Sequence, residues 1–257
     1  MDLRIQGKTA LVAASTGGLG LAVARALASE GARVVITGRR GAVAQQVAAE
    51  LPDAVGLAAD LSTDEGLESA VNAAVDAFGP VDILVLNGPG PKPGAAAALT
   101  SQDMASAFDL LVRPQHALIS KVLPGMRERR WGRILAIGSS GVAAPLPNLA
   151  LSNTGRAALA GYLKTLAAEV ALDAVTVNML LPGRIATDRV AELDQAAAKR
   201  RGSTIEAIQQ ESRSGIPSRR YGDPAEFGAA AAFLCSGPAS YITGVALRCD
   251  GGLVRTL

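Results

Sequence analysis

The chain has 257 residues, 49% apolar and only 3% aromatic, with 25 basic against 23 acidic residues and a formal net charge of +2. That length and composition suit one α/β domain of alanine-rich helices packed on a sheet, rather than a disordered or multidomain chain. The near-neutral balance, without a basic stripe, argues against nucleic acid as a partner, and no apolar run reaches the ~18 residues of a membrane span.

In chain order, residues 9–13 are a short apolar run, the length of a strand buried on both faces. A glycine turn follows with Gly17, Gly18 and Gly20. Beyond it Leu19, Ala22, Val23, Ala26 and Leu27 recur at helical spacing as far as Gly31, a helix stop signal. A second buried strand covers 33–37. Strand, glycine turn, helix and strand in this order point to a dinucleotide site. Glycines let a phosphate approach the backbone, and the helix start offers free N–H groups and positive dipole.

The pattern then predicts a helix over 41–51, a strand over 54–59 with Asp60 and Leu61 at its carboxyl end, and a helix over 63–78. A fourth strand, 82–86, runs into Asn87-Gly-Pro-Gly-Pro-Lys-Pro-Gly94, a stiff loop where open α/β sheets place ligands. One long helix is expected over 101–130, kinked by Pro114, which deprives the Leu110 carbonyl of its donor. A strand over 133–137, a helix over 150–172 and a strand over 175–181 come next. Pro182-Gly183 opens a polar stretch to Tyr221 that is too long for a plain connection. Residues 184–221 therefore read as a substrate lid with helices at 190–201 and 205–212. A helix over 224–235 and a strand over 245–248 close the chain. This alternation predicts a single α/β domain over 1–257: a Rossmann-type doubly wound parallel sheet of about seven strands with helices on both faces.

Cys235 and Cys249 are expected to be reduced, buried small residues. His116, the only histidine, leaves little for a catalytic triad or a multi-histidine metal site, so no metal is expected. With no basic-then-apolar leader, a soluble cytoplasmic protein is the expectation.

Together these features resemble the short-chain dehydrogenase/reductase family over essentially the whole chain. The family's Thr-Gly-x-x-x-Gly-x-Gly falls on positions 13–20, where Gly18 and Gly20 match and Ala13 and Ala14 replace the first Thr and Gly. Asp60 matches the adenine-contacting Asp, Asn87 the second Asn of Asn-Asn-Ala-Gly, and Pro182-Gly183 with Thr187 the nicotinamide-side Pro-Gly-x-x-x-Thr. The tail, Tyr241-Ile-Thr-Gly244 and Asp250-Gly-Gly252, is similar to the bacterial 3-oxoacyl-carrier-protein reductase branch. The resemblance implies a cofactor site of Ser15, Thr16, Gly18, Leu19, Gly20, Arg39, Arg40, Asp60, Leu61, Asn87, Gly88, Arg156, Pro182, Gly183 and Thr187. Where NAD-specific members carry an acid after the second strand, this chain has Gly38 and then Arg39 and Arg40. An arginine clamps a 2′-phosphate that a carboxylate repels, so NADP(H) is expected, with Arg39 as the main contact and Arg40 near the adenine.

The resemblance also implies an Asn, Ser, Tyr, Lys catalytic set, and here the chain departs. Ser140 is retained, but Tyr-x-x-x-Lys is replaced by Ser152-Asn-Thr-Gly-Arg156, and the Asn position falls on Leu111. Tyr162 and Lys164 lie one to two turns further along the helix and do not have the i, i+4 spacing. A serine hydroxyl is a far poorer acid than a phenol of pKa about 10. Arg156 stays protonated, so it grips charge or ribose but does not relay protons. Ser140, Ser152 and Arg156 are thus the candidate catalytic residues. Pro114 is a candidate for preserving the kink at which the family's Asn holds a water, and His116 for a replacement acid. Arg113, Arg184 and Arg189 are candidates to meet an anionic substrate. Three readings stay open: an NADP(H)-dependent oxidoreductase acting on a carbonyl or alcohol, including an anionic or acyl-thioester one; a lyase or isomerase in the same pocket; and a catalytically silent cofactor-binding protein. Family members are commonly tetramers, and the apolar tail 241–257 is an expected subunit contact.

Overall fold

The computed structural model describes residues 1–256. Seven parallel strands form one sheet: β1 (Thr9–Val12), β2 (Arg33–Gly38), β3 (Ala54–Ala58), β4 (Ile83–Leu86), β5 (Gly132–Ile137), β6 (Val175–Pro182) and β7 (Ala246–Cys249), in the spatial order β3-β2-β1-β4-β5-β6-β7. The strands are continuous apolar runs because both faces are covered. Alternate side chains serve opposite cores. Leu11, Val35, Leu84, Leu86, Ile134 and Val177 face one, while Ala10, Val12, Val34, Ile36, Ile83, Val85 and Leu135 face the other.

The first core is closed by α3 (Asp64–Phe78), α5 (Arg113–Glu128) and α6 (Ala150–Val170), the second by α1 (Gly18–Ser29), α2 (Gly41–Ala49) and α9 (Pro224–Leu234). Helix α1 stops where Gly31 was expected to end it. The Ala32 N–H bonds to Leu27 O at 3.1 Å and the Gly31 N–H to Ala28 O at 3.0 Å, the paired bonds of a Schellman cap.

The expected long helix over 101–130 is two helices, which corrects the single kinked helix. α4 (Ser101–Leu111) ends at Val112, with φ −115° and ψ −55°, and α5 begins immediately after it. Pro114 lies in the first turn of α5, where its missing N–H costs least, so the chain breaks there instead of bending through. The lid has the two expected helices, α7 (Asp188–Arg201) and α8 (Ile205–Gly215). Its two ends are tied together by Ala186 N–H to Gly222 O and Gly222 N–H to Arg184 O, both 2.9 Å. Cys235 is buried, Cys249 half-buried, and both are free thiols. Among the described residues no helix is long and apolar enough to cross a membrane.

Candidate active site

The strand order puts a topological switch between β1 and β4, and the residues singled out from the sequence lie beyond the carboxyl ends of the strands on either side of it. Asp60 follows β3, Arg39 and Arg40 follow β2, the glycine turn follows β1, Asn87 and Gly88 follow β4, Ser140 follows β5, and Gly183 follows β6. Across five strand spacings they form a row about 24 Å long.

The glycine turn is stitched to β2 by buried hydroxyls. Thr37 Oγ1 donates to Val12 O and accepts from the Ala14 N–H, both at 3.1 Å. Ser15 Oγ donates to Val12 O at 2.7 Å and accepts from the Thr37 N–H at 3.1 Å. Ser15 is fully buried, so its hydroxyl shapes the turn and is not offered to a ligand. Ala14, where the family pattern has Gly, has φ +47°, the left-handed region. Gly20 has no room for a side chain: a Cβ there would lie 2.6 Å from Ala14 O and 2.8 Å from Asn87 Nδ2. Asn87 Nδ2 donates to Ala14 O at 3.1 Å and so locks the β4 loop to the turn.

Helix α1 begins with no side-chain cap and no acid in its first turn, unlike α3, α4 and α9. Its first N–H groups and dipole are left for an external anion. Helix α2 likewise lacks a side-chain cap, and Arg40 is its N-cap residue. Arg39 and Arg40 are exposed, and neither forms an ion pair within 4.0 Å among the described residues. Thr16 abuts Gly38, where a Cβ would come within 2.7 Å of its Cγ2. The Asp60 carboxylate accepts from Ser62 Oγ at 2.7 Å and from the Ser62 N–H at 3.0 Å, and these bonds, with a smaller contribution from Arg39, hold its pKa below the usual value. Leu61 and Leu19 are partly buried against the two cores. Backbone carries the remaining members: the Gly183 N–H bonds to Cys249 O at 3.0 Å, and Thr187 is the N-cap residue of α7. A cradle of this kind fits a dinucleotide. The uncapped start of α1 suits the pyrophosphate, the row toward Asp60 the adenosine half, and the row toward Gly183 the nicotinamide half.

At the β5 end, Ser139 caps a short 3-10 turn, Ser140–Val142, by accepting from the Gly141 N–H at 3.1 Å. Ser140 is buried, and its hydroxyl bonds no other described residue. Asn153 bonds the backbone of Leu146 through Nδ2 and Oδ1, at 2.9 and 3.3 Å, and packs on Gly141. Gly94 bonds to Asn148 O and Ala150 N–H, at 2.9 and 3.2 Å, bringing the Gly–Pro loop to the start of α6. Ser152 and Arg156 are one turn apart on α6 and share a face. Arg156 Nη1 donates to Ile137 O, the last carbonyl of β5, at 2.9 Å. Burial lowers its pKa, and no Asp or Glu oxygen lies within 4.0 Å of it among the described residues. Leu111 is buried and packs on Gly155.

The other candidates lie apart from this set or are already paired. His116 is exposed, its ring tilted 5.5 Å from that of Tyr162, and Lys164 Nζ donates to Gly244 O at 2.9 Å. Arg113 pairs with Asp109 at 3.1 Å and Arg189 with Glu192 at 3.3 Å. Arg184 pairs at 3.0 Å with Asp194, which is fully buried and also accepts from Tyr221 Oη at 2.8 Å. These bonds fasten the lid to itself.

Gln115 was missed in the sequence. It is buried on α5, with Nε2 3.5 Å from Asn87 O and Oε1 without a partner among the described residues. Its signal was present: it is the one polar side chain in the buried stripe Leu111, Pro114, Gln115, Leu118, Ile119, Val122 and Met126.

A family model described as enoyl-(acyl carrier protein) reductase matches residues 13–254. The 3-oxoacyl-acyl-carrier-protein reductase FabG of Vibrio cholerae is 34% identical over 254 residues, 98% of this chain and 99% of that protein. The L-sorbose reductase of Gluconobacter frateurii, in a crystal structure with NADPH and L-sorbose, superposes with TM-score 0.94 at 32% identity over 100% of both chains. The 3-ketoacyl-(acyl-carrier-protein) reductase of Brucella melitensis, crystallised with NADH, does so with TM-score 0.84 at 34% identity over 97% of this chain and 99% of that one. With the sheet order, the glycine turn and matches that span nearly its whole length, the chain belongs to the short-chain dehydrogenase/reductase family of oxidoreductases.

Proposed function

We propose that this protein is an NADP(H)-dependent carbonyl reductase or alcohol dehydrogenase of the 3-oxoacyl reductase-like type, with an altered proton-transfer group. The observation that carries the cofactor half is the pair Arg39 and Arg40, exposed and in no ion pair among the described residues, beside the starts of α1 and α2. Relatives crystallised with NADPH and with NADH both occur, so the choice rests on these arginines and on the absence of an acid at Gly38.

In this reading Ser152 and Arg156 stand at the positions of the family's Tyr and Lys. When bound, the reduced nicotinamide supplies a hydride to the carbonyl carbon, while the C=O electron pair moves to the oxygen, which takes up a proton. Ser140 donates a hydrogen bond to that oxygen and Ser152 adds a second. Arg156 stabilises the negative charge developing there. Ser152 is too weak an acid near neutrality to give up its proton, so solvent supplies it, at a cost of about 10²–10⁴ in rate.

The test is a fluorescence titration with NADPH and NADH, followed by a panel of ketones and 3-oxoacyl thioesters. Tight NADPH binding with slow turnover is expected, and the double variant Ser152→Tyr with Arg156→Lys should raise turnover. Failure to bind either cofactor would overturn the reading. The assembly that goes with it is a homotetramer, supported by the apolar exposed side chains of β7.

A further inference from the structure

We propose that Gln115 is a positioning residue for the cofactor. From α5 its amide holds the Asn87–Gly88 turn, against which the nicotinamide half of the dinucleotide lies, an assignment that rests on the NADP(H) part of the reductase reading.

Gln115 is out of character with its surroundings. The buried face of α5 is otherwise Pro114, Leu118, Ile119, Val122 and Met126, and Gln115 is 6% exposed among them. Its Oε1 has no partner among the described residues, which costs folding free energy that an apolar side chain there does not. Packing alone therefore selects against an amide at this position. What the amide touches is the turn that follows β4. Nε2 donates toward Asn87 O at 3.5 Å, and a Cβ on Gly88 would lie 3.4 Å from the same nitrogen. The opposite amide orientation sets two oxygens against each other, so the donor faces the turn. At 3.5 Å the bond is at its outer limit, and it tightens when a ligand loads the turn.

The same turn is tied on its other side to the phosphate end of the crevice. Asn87 Nδ2 donates to Ala14 O at 3.1 Å, in the space that Gly20 leaves by having no side chain. Asn87 is thus gripped twice, its main chain by α5 and its side chain by the glycine turn. Strand β4 lies between β1 and β5, so the turn stands between the glycine turn and Ser140, on the nicotinamide side of the row. Removing the Gln115 amide leaves Asn87 bonded to Ala14 and frees only the main chain of the turn. The consequence is selective: the nicotinamide half loses support and the adenosine half keeps it.

The test is calorimetric titration of the full chain with NADPH and with 2′,5′-ADP, which carries only the adenosine half and its 2′-phosphate, alongside thermal melts. Gln115→Met keeps the volume and removes both polar atoms. It is expected to weaken NADPH by about 3- to 10-fold, to change 2′,5′-ADP by less than about twofold, and to leave Tm unchanged or raised. Gln115→Glu supplies the rescue. Burial raises its carboxyl pKa, so at about pH 6 the acid is protonated and donates to Asn87 O, whereas at about pH 9 the carboxylate repels it. Its NADPH affinity relative to wild type should therefore be near parity at the lower pH and fall by about tenfold at the higher. Unchanged NADPH affinity in Gln115→Met overturns the proposal. An equal loss for both ligands, or a loss that comes with a lower Tm, also overturns it and makes Gln115 a residue of the fold. So does a Gln115→Glu affinity that follows wild type across the pH range. If the wild-type protein binds neither ligand, the cofactor reading itself falls and takes this assignment with it.

Discussion

Ala14 illustrates how one residue departs from its family's pattern and still keeps the turn. Its φ of +47° is a conformation that glycine adopts freely and alanine at a cost of about 1–2 kcal/mol, tolerated here because Thr37 accepts its N–H and Asn87 donates to its carbonyl. Replacement by glycine relieves that strain and gives back part of the gain as unfolded-state entropy. Ala14→Gly should therefore stabilise the protein by about 0.5–1 kcal/mol, read as a higher urea midpoint at unchanged m-value. Arg39 is the second residue-scale test. On the proposed reading, Arg39→Asp should lower the NADPH-to-NADH affinity ratio by about tenfold or more, since a carboxylate there repels a 2′-phosphate. An unchanged ratio in the titration would show that Arg39 does not read the 2′-phosphate. Both positions were legible in the sequence as departures from a motif, but the strain at Ala14 was not, because backbone angles follow from the bonds the turn makes with β2 and β4.

Among the elements, the helix starts differ in how they are capped. α3, α4, α8 and α9 are capped by Thr63, Thr100, Thr204 and Asp223, whereas α1 and α2, which start beside the glycine turn and Arg40, have no side-chain cap, as is also true of α5, α6 and α7. In α9 the cap is reinforced: Glu226 accepts from the Asp223 N–H at 2.7 Å and takes both Arg220 bonds, at 2.7 and 2.6 Å. These bonds, with Arg220 first, lower the Glu226 pKa from 4.5 to about 2. A carboxyl whose folded value lies below its unfolded one contributes stability in full above about pH 4.5 and loses it as pH falls toward 2. Arg220→Gln should flatten the fall of Tm over that window and leave its slope above pH 5 unchanged. The exposure of the pair makes the effect small and salt-sensitive. The limits of strands and lid helices were read from periodicity to within a few residues. The break at Val112 was not, because Pro114 is compatible with either a kink or a new first turn, and no local pattern chooses between them.

For the whole molecule, the β7 edge of the sheet is the feature to explain. β7 is paired only with β6, and Val245 and Leu247 are about two-fifths exposed, with Tyr241 almost fully so. An apolar edge strand of this kind is a liability unless another copy covers it. Val245→Lys with Leu247→Lys should convert the expected tetramer to smaller species, measured by light scattering on an eluting column, while Tm of the isolated protomer changes little. A monomer in the unaltered protein would remove the tetramer proposal. Of the tail expected to make subunit contacts, Leu257 lies outside the described residues.

The sequence by itself determined the class of fold, the order of its elements, the glycine turn and the lid, because these depend on local hydrophobic period and on turn residues that act within a few positions. Ser140, Ser152 and Arg156 came together as candidates only through the resemblance to the family, whose motif positions they occupy. Only the tertiary structure decided which of the charges were already spent. Among the described residues, Arg184 is paired with Asp194, Arg156 bonds only a carbonyl, and Gln115 lies against Asn87 with an oxygen unpaired. Pairing and burial depend on residues distant in the chain meeting in space, and no local pattern records whether a charge will find its partner there.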